Sequence, residues 1–315
     1  MFNPVRMQLK LAAPPERVFE ALTDAAALEA WFCEHVEITP EHYAFWGRFT
    51  PEAPDQTQGQ HRLVSRLASR ELVYEWRLKG AASQVTLKLL PRDEGTILTL
   101  RQTATDVTGN YHLEDFWFLA MENLRRYLDG KPSEARIDFT QPMKGDIRHE
   151  TVVDAPASRV FDVLINPDEL DRWIATKATV DPQIGGKYDI GWGEYTAGVK
   201  IVELVPNQKL SISTPEDPTY GNKNRTETIM TWILEESGGK TRLTFIHSGF
   251  DVDEDVSGVY TGWRSFLNWV RSVAEYGADW QPPLVIVPPG MIAYAASIVN
   301  AQNEIVDELK APLPA

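Results

Sequence analysis

The sequence predicts an α+β protein that contains two tandem copies of one domain. Three observations support this prediction. The same segment occurs twice, first from Val5 and again from Ile147. Each occurrence is followed by several short stretches of alternating polar and apolar residues, which are typical of antiparallel strands. Each copy then ends in a long stretch with helical spacing of its apolar residues. Segregated elements of this kind indicate α+β rather than a wound parallel sheet.

The repeat is visible without any gap. Residues 5–32 and 147–174 align over 28 positions, of which nine are identical. The identical pairs are Arg6/Arg148, Ala13/Ala155, Pro14/Pro156, Arg17/Arg159, Val18/Val160, Phe19/Phe161, Leu22/Leu164, Leu28/Leu170 and Trp31/Trp173. The two segments lie 142 residues apart, which is too far for a solenoid or propeller repeat and is about the length of a whole domain. The chain is therefore predicted to hold one fold twice.

The predicted order of elements is the same in both copies. A strand comes first, and an Ala-Pro step then begins a helix, because proline suits the first helical turn. A second short helix follows, and after it come the antiparallel strands and one long helix. The predicted strands include Glu71–Leu78 in the first copy and Gly186–Trp192 and Lys240–Ser248 in the second. The predicted boundaries are 1–130 for the first domain, 131–146 for a linker, 147–280 for the second domain, and 281–315 for a Pro-rich segment with a last helix over about Ile292–Leu309. That last helix either docks on one domain or joins two chains in a homodimer.

The charge and the cysteine count restrict the classes of partner. A net charge of -14 argues against nucleic acid, whose phosphates need a surplus of Lys and Arg on one face of the protein. The same sign disfavours an anionic membrane surface, and no apolar run is long enough to be inserted into a membrane. The single cysteine, Cys33, cannot form an intramolecular disulfide, which is typical of a reducing compartment. A cytoplasmic protein is predicted.

Several motifs of the second copy resemble a known superfamily. They are the opening strand with APASRVFDVL, the Gly185-Gly186 step, the stretch Gly198–Pro206, and Gly262-Trp263 before the long helix. In these features the chain resembles the START-like (Bet v 1-like, SRPBCC or helix-grip) superfamily. Within it, the chain is similar to bacterial proteins related to the C-terminal domain of the Hsp90 ATPase activator. The resemblance covers about 130 residues of each half. It implies a curved antiparallel sheet wrapped round the long C-terminal helix, with a cavity between them.

The first copy departs from this pattern. It lacks the Gly-Gly step and carries HYAFWGRF with a Pro/Gln-rich stretch, residues 51–60, in its place. Co-chaperone members of the family also have a separate N-terminal domain that engages Hsp90, whereas the first copy here begins at about Val5. The resemblance therefore implies the fold but not Hsp90 activation, and Hsp90 is a partner that only a direct test would establish.

The cavity that the resemblance implies would be lined by the long helix and by the inward positions of the strands. A small hydrophobic molecule is the predicted partner, because burial of about 300 Å² of apolar surface contributes about 7 kcal/mol before the ordering cost. Three polar side chains, His247, Arg225 and Glu227, are the candidates for orienting it. The apolar candidates are Trp173, Tyr188, Trp192, Trp232, Phe245, Trp263 and Phe266 in the second copy, with Trp31, Trp76 and Trp117 in the first.

Motifs that would indicate catalysis are missing from the sequence. The six histidines show no metal-ligand spacing, and no phosphate loop, dinucleotide fingerprint or nucleophile elbow occurs. No catalytic residue, cofactor or metal is therefore predicted, and ligand binding without catalysis is the leading hypothesis. Two alternatives stay open. One is a START-like cyclase, hydrolase or dehydratase that uses His247 or Glu227 as an acid or base in the cavity. The other is an Hsp90-related or stress-response interaction module.

Overall fold

The computed structural model describes residues 5–78, 80–93, 95–103, 113–193, 196–214 and 227–285. The helix predicted over about Ile292–Leu309 and the candidate Arg225 lie outside these residues. The chain divides into two compact units. One contains the residues up to Pro142 together with the segment that begins at Pro283, and the other contains Met143–Pro282.

The first unit is a six-stranded antiparallel sheet with three helices and a separate two-stranded ribbon. Its elements are β1 (Val5–Leu11), α1 (Pro15–Thr23), α2 (Ala25–Trp31), β2 (His35–Ile38), β3 (Tyr43–Trp46), β4 (Arg62–Leu67), β5 (Glu71–Leu78), β6 (Ala81–Arg92), β7 (Gly95–Gln102), α3 (Leu113–Leu128) and, from later in the chain, β15 (Leu284–Val285). The strand order is β15-β1-β7-β6-β5-β4, with β2 paired to β3. The short β15 thus adds a strand to the outer edge of β1.

The second unit repeats this plan. Its elements are β8 (Ile147–Val153), α4 (Ala157–Ile165), α5 (Pro167–Trp173), β9 (Thr179–Val180), β10 (Tyr188–Asp189), β11 (Lys200–Val205), β12 (Lys209–Thr214), β13 (Thr228–Ser237), β14 (Lys240–Ser248) and α6 (Ser257–Tyr276). The five-stranded sheet has the order β11-β12-β13-β14-β8, and β9 pairs with β10. The predicted α+β class and the tandem duplication of a helix-grip domain are therefore confirmed.

The short helices of the two copies are held by the same side-chain hydrogen bonds. The indole N–H of Trp31 donates to the carbonyl oxygen of Ala21 at 2.9 Å, and that of Trp173 donates to Val163 at 3.1 Å. In both copies the donor lies ten residues after the acceptor and ties the end of the second short helix to the first.

A tyrosine from the two-stranded ribbon makes a second shared contact. The Tyr43 hydroxyl donates to the carbonyl oxygen of Leu22 at 2.6 Å, and the Tyr188 hydroxyl donates to Leu164 at 2.7 Å. Both hydroxyls are buried, so each needs such an acceptor. These bonds fix the ribbon against the first short helix.

The sheets also share an irregularity. The β4–β5 ladder shifts register between Leu63 and Ser65, and the β11–β12 ladder shifts between Ile201 and Glu203. A bulge of this kind bends its strand and increases the local twist, which a sheet that curves round a helix requires. Because the ladders shift at the same point, residues of the two sheets can be matched position by position.

The Gly185-Gly186 step has a steric reason. Gly185 adopts a φ of +82°, which favours glycine, and a Cβ on Gly186 would lie 2.1 Å from the carbonyl oxygen of Asp181. The tight turn leads into β10, which is shorter than the strand predicted over Gly186–Trp192. The chain leaves the pairing after Asp189 because Gly191, at a φ of +78°, turns it toward Thr176.

The stretch predicted as a linker contains a segment that packs against the rest of the first unit. Ser133, Ala135 and Ile137 are buried. The guanidinium of Arg136 donates to the carbonyl oxygens of Cys33 at 2.7 Å and Glu29 at 2.6 Å. Where the linker begins and ends stays a prediction.

Candidate functional site

The second unit contains a cavity of about 140 Å³ between α6 and the sheet. Val259 and Trp263 border it from α6. The sheet contributes Ile212, Thr214, Thr228, Met230, Trp232 and His247. The end of α5 and the region around β10 contribute Trp173, Ile174, Tyr188, Ile190, Trp192, Thr196 and Val199, and Phe250 follows β14. Most of the wall is apolar and much of it is aromatic, as expected for a pocket that binds small organic molecules.

The pleat of the strands explains which sheet residues reach the cavity. Thr228, Met230 and Trp232 alternate along β13 and therefore share one face. His247 lies opposite Met230 on β14, and Ile212 lies opposite it on β12. Residues directly opposite each other in a ladder lie on the same face of the sheet, so these side chains form one continuous wall.

Three aromatic side chains of the wall are fixed by hydrogen bonds to the backbone. Besides the bonds of Trp173 and Tyr188, the indole N–H of Trp192 donates to the carbonyl oxygen of Ile174 at 3.0 Å. Burial raises the pKa of the Tyr188 hydroxyl, which therefore stays protonated. These rings present their apolar surfaces to the cavity because their polar atoms are already bonded.

The polar part of the wall is a short chain of hydrogen-bonded side chains. The Nε2 atom of His247 lies 3.0 Å from the hydroxyl of Thr228, which also bonds the hydroxyl of Thr214. No Lys, Arg, Asp or Glu borders the cavity among the residues that the structure describes. Within the same residues, no group of three or more His, Cys, Asp and Glu side chains could hold a metal ion. This arrangement can bind and orient a neutral molecule.

The indole N–H of Trp232 differs from the polar groups described above. The side chain of Trp232 is 1% exposed, and its indole Nε1–H has no hydrogen-bond partner in the described part of the chain. Buried Trp N–H groups usually have an acceptor.

The structure brings together six of the predicted side chains. Trp173, Tyr188, Trp192, Trp232, His247 and Trp263 all border the cavity. Phe245 and Phe266 lie behind its wall. The Phe245 ring is 4.3 Å from that of Trp263, and the Phe266 ring is 6.2 Å from that of Trp192. Glu227 is exposed and is not part of the lining. A role of these residues in ligand binding stays a prediction.

The sequence interpretation missed several residues of the wall. Thr228 and Met230 have the same parity on β13 as the predicted Trp232, so the period-2 pattern could have identified them. Thr214 could have been found only with the register of β12 against β13. Phe250 and Val259 depend on the path of the loop after β14, for which the sequence carries no comparable signal.

The first copy has aromatic rings at five positions where this wall has small or aliphatic side chains. The repeat, the shared ribbon contact and the matching ladders identify the equivalent residues. The equivalent pairs, second copy first, are Ile174 and Phe32, Ile190 and Phe45, Val199 and His61, Ile212 and Tyr74, and Thr214 and Trp76. Every small or aliphatic side chain in this set is an aromatic ring in the first copy.

These rings pack on one another. The ring of Phe45 lies 4.2 Å from that of His61, 5.2 Å from that of Trp76 and 5.8 Å from that of Tyr74. Trp76 also contacts Trp117 at 6.0 Å. The predicted first-copy candidates Trp76 and Trp117 thus belong to a packed aromatic cluster.

The third first-copy candidate, Trp31, borders a space of only about 10 Å³, between α2, α3 and residues 135–137. That volume is too small for an organic ligand.

Burial controls the charge state of His61 in this cluster. The side chain is 1% exposed, and neither ring nitrogen has a hydrogen-bond partner within the described residues. Burial lowers the pKa of His61 to about 4, so the imidazole is neutral near pH 7. The second copy has the aliphatic Val199 at this position.

The comparisons with known proteins agree with the duplicated fold. The sequence matches the family described as Activator of Hsp90 ATPase homolog 1-like protein twice, over residues 12–129 and 154–275. None of the curated proteins matches it. No helix in the described residues is long and apolar enough to cross a membrane.

Three solved structures are among those similar to this chain. DynU16, described as a protein in the dynemicin biosynthetic locus, is 19% identical, with 87% of this chain and 98% of that chain covered and a TM-score of 0.34. The Aha1 dimer from Colwellia psychrerythraea is 19% identical, with coverage of 42% and 98% and a TM-score of 0.38. CalU16 from Micromonospora echinospora is 23% identical, with coverage of 40% and 76% and a TM-score of 0.33.

Proposed function

Because the chain belongs to the family of Activator of Hsp90 ATPase homolog 1-like proteins and contains two copies of the family's domain, we propose that its second copy binds a small hydrophobic molecule in the cavity between α6 and the sheet. The observation that carries this proposal is the cavity of about 140 Å³ with a mostly apolar wall. The first copy has the same frame, meaning the shared hydrogen bonds of the tryptophan and tyrosine side chains to the short helices. However, it has aromatic rings at five of the equivalent wall positions. We therefore propose one ligand site of this kind per chain, in the second copy.

The size of the cavity sets the expected affinity. A cavity of about 150 Å³ holds a molecule such as benzene, so the ligand is expected to contain about one ring. Burial of about 300 Å² at about 25 cal/mol per Å² contributes about 7 kcal/mol before the costs of association. The expected dissociation constant therefore lies in the micromolar to millimolar range.

The test uses the first copy as a template for closing the cavity. Ile212→Tyr combined with Thr214→Trp introduces the residues found at Tyr74 and Trp76, and their rings would occupy the cavity. Cumene (isopropylbenzene) is the probe, and isothermal titration calorimetry on the full chain is the measurement. Native mass spectrometry of gently purified wild-type chain is also expected to show a co-eluting small molecule.

The matched control places a ring on the same sheet but outside the cavity. Val202 is 42% exposed on β11, so Val202→Tyr is expected to leave cumene binding unchanged. Circular dichroism checks that all variants fold. The proposal holds if wild type and Val202→Tyr bind cumene and the folded double variant does not. It is overturned if the folded double variant binds as tightly as wild type, or if the wild-type chain binds neither cumene nor a co-eluting molecule.

A further inference from the structure

Resting on the proposed function, we infer that the natural ligand is an alcohol or a phenol of about one ring, and that its hydroxyl group donates a hydrogen bond to the side-chain oxygen of Thr214. Thr214 is then the residue that selects a ligand with a hydroxyl group over an apolar ligand of the same shape.

The cavity wall has a polar pair of residues at the end of the β12–β13 ladder. Thr214, the last residue of β12, lies opposite Thr228, and Ile212 lies opposite Met230 at the next position on the same face. Both pairs border the cavity. Successive residues on one face of a strand are about 7 Å apart. A ring that packs on Ile212 and Met230 therefore places a substituent beside Thr214.

The chain of hydrogen bonds in the wall ends at Thr214. The Thr228 hydroxyl lies between the hydroxyl of Thr214 and the Nε2 atom of His247, which is 3.0 Å away. The carbonyl oxygen of Thr228 is a second acceptor for the Thr214 hydroxyl, at 3.2 Å. Both contacts of the Thr214 hydroxyl are thus with one residue.

The number of protons in this chain determines what Thr214 offers to a ligand. If Nε2 of His247 accepts, the Thr228 hydroxyl donates to it and the Thr214 hydroxyl donates to Thr228. If Nε2 donates, as in the other tautomer or the imidazolium, Thr214 donates to the hydroxyl or the carbonyl oxygen of Thr228. In each arrangement the proton of Thr214 is used within the chain, and at least one of its lone pairs is left. Thr214 therefore offers an acceptor whatever the charge of His247.

Thr214 is also the accessible hydroxyl of the wall. Thr196 and Thr228 are buried, whereas Thr214 is partly exposed. The hydroxyl of Thr196 donates to Asp189 at 2.9 Å and accepts from the backbone N–H of Trp192 at 3.1 Å. A ligand in the cavity thus meets Thr214 as the available hydroxyl acceptor of the described wall.

The first copy does not have this polar pair. Its ladder places Trp76 opposite Ser83 where the second copy has Thr214 opposite Thr228. The Ser83 hydroxyl donates to the backbone carbonyl oxygen of Thr103 at 3.2 Å, and the ring of Trp76 belongs to the aromatic cluster. The shared fold therefore does not require two hydroxyl groups here. They occur in the copy whose cavity is open.

The chemical class of the ligand follows from the cost of burying its polar group. A hydroxyl group that leaves water for an apolar cavity loses hydrogen bonds, and it is costly to bury unless the wall supplies an acceptor. Thr214 supplies one at the position that a ring substituent reaches. A carbonyl or ether oxygen brings no proton and cannot use this lone pair.

The experiment compares three probes that differ in one group on the same skeleton. Cumene has a methyl group where 1-phenylethanol has a hydroxyl and acetophenone has a carbonyl oxygen. Dissociation constants are measured by isothermal titration calorimetry on the full chain, with the tighter-binding enantiomer of 1-phenylethanol. The measured quantity is the preference for 1-phenylethanol over cumene, compared between wild type and variants.

Thr214→Val removes the hydroxyl and keeps the shape of the side chain, and Thr214→Ser keeps the hydroxyl. The matched control is Thr231→Val. Thr231 lies on the opposite face of the same ladder, where its hydroxyl pairs with that of Ser211 at 3.0 Å, and it does not border the cavity.

Thr214→Val is expected to reduce the preference about fivefold, whereas Thr214→Ser and Thr231→Val are expected to leave it within about twofold of wild type. In wild type, 1-phenylethanol is expected to bind more tightly than acetophenone, because acetophenone has no proton to donate. This comparison needs no variant, and it decides the question if Thr214→Val does not fold.

The inference is overturned, with the proposed function intact, if the preference is the same in Thr214→Val as in wild type or falls equally in Thr231→Val. It is also overturned if acetophenone binds wild type more tightly than 1-phenylethanol does, or if cumene alone binds. Absence of binding for all three probes instead removes the proposed function on which the inference rests.

Discussion

The two copies share a frame of hydrogen bonds but differ in what that frame encloses. One of the shared hydrogen bonds is made by a threonine in each copy. The Thr96 hydroxyl donates to the carbonyl oxygen of Ala13 at 2.7 Å, and the Thr241 hydroxyl donates to Ala155 at 2.8 Å. The inner wall differs between the copies, because five small or aliphatic residues of the second copy correspond to aromatic rings in the first. The backbone of this fold therefore does not determine whether its interior is open. A few side chains on β12 and around β10 do.

The largest expected effect comes from removing a ring of the first-copy cluster. Trp76→Thr introduces the residue that the second copy has at Thr214. Trp76 is fully buried, so the loss of its contacts and the resulting void should lower the free energy of unfolding by about 3–5 kcal/mol. Urea unfolding followed by circular dichroism measures this change. A loss below about 1 kcal/mol would show that the aromatic cluster is not tightly packed.

Acid is expected to destabilise both copies, each through one buried histidine. Burial lowers the pKa of His61 and of His149 to about 4 in the folded chain, against about 6.5 when unfolded. The unfolded chain therefore binds these protons first as the pH falls. Stability that is fully present above about pH 6.5 is lost progressively down to about pH 4, by about 3 kcal/mol for each histidine.

His61→Phe isolates the part of this effect that arises in the first copy. Stability measured by urea unfolding between pH 7 and pH 4 should fall less steeply for His61→Phe than for wild type. His42, which is exposed, provides the control, because His42→Phe should leave the slope unchanged. Identical slopes for wild type and His61→Phe would contradict the burial of a neutral imidazole in the first copy.

The shared frame can be tested with an identical change in each copy. Tyr43→Phe and Tyr188→Phe each leave one buried carbonyl oxygen, of Leu22 or Leu164, without its donor. Each variant should lose about 1–2 kcal/mol of stability, measured by urea unfolding. Near-equal losses are the expected result. A loss in one copy only would mean that the frames are not energetically equivalent.

The smallest expected effect concerns the imidazole of His247 in the second copy. His247→Ala removes a polar group from the edge of the wall but leaves the rings of Trp232 and Trp263 in place. The dissociation constant for cumene, measured by calorimetry, should therefore change by less than about threefold, because apolar contact dominates the binding. A loss of binding greater than about tenfold would instead indicate that the imidazole of His247 contacts the ligand directly.

Much of the fold could be predicted from local patterns. The bounds predicted for Glu71–Leu78 and Lys240–Ser248 coincide with β5 and β14, because alternation and flanking turn residues are strong signals in long strands. β10 was predicted too long, since the turn at Gly191 that ends the pairing is held by its hydrogen bonds with Thr176 and Asp189, which a strand pattern does not report.

The candidate site was only partly predictable. Residue type and parity identified Trp232 and His247, which border the cavity. The same criteria selected Phe245, which lies opposite Trp232 on the same face of the sheet but packs against Trp263 and does not border the cavity. Parity reports the face of a strand, and it does not report whether the space in front of that face is filled by another side chain.

The amino-acid sequence by itself determined the duplication, the order of elements and the α+β class, because repeats and hydrophobic periodicity are local properties of the chain. Only the tertiary structure decided that the second copy has an open cavity where the first has the rings of Phe45, Tyr74 and Trp76. The physical reason is that an interior volume depends on side chains from β3, β5 and α3, or from β10, β12 and α6. These elements are far apart in the chain and meet only when the sheet closes round its helix.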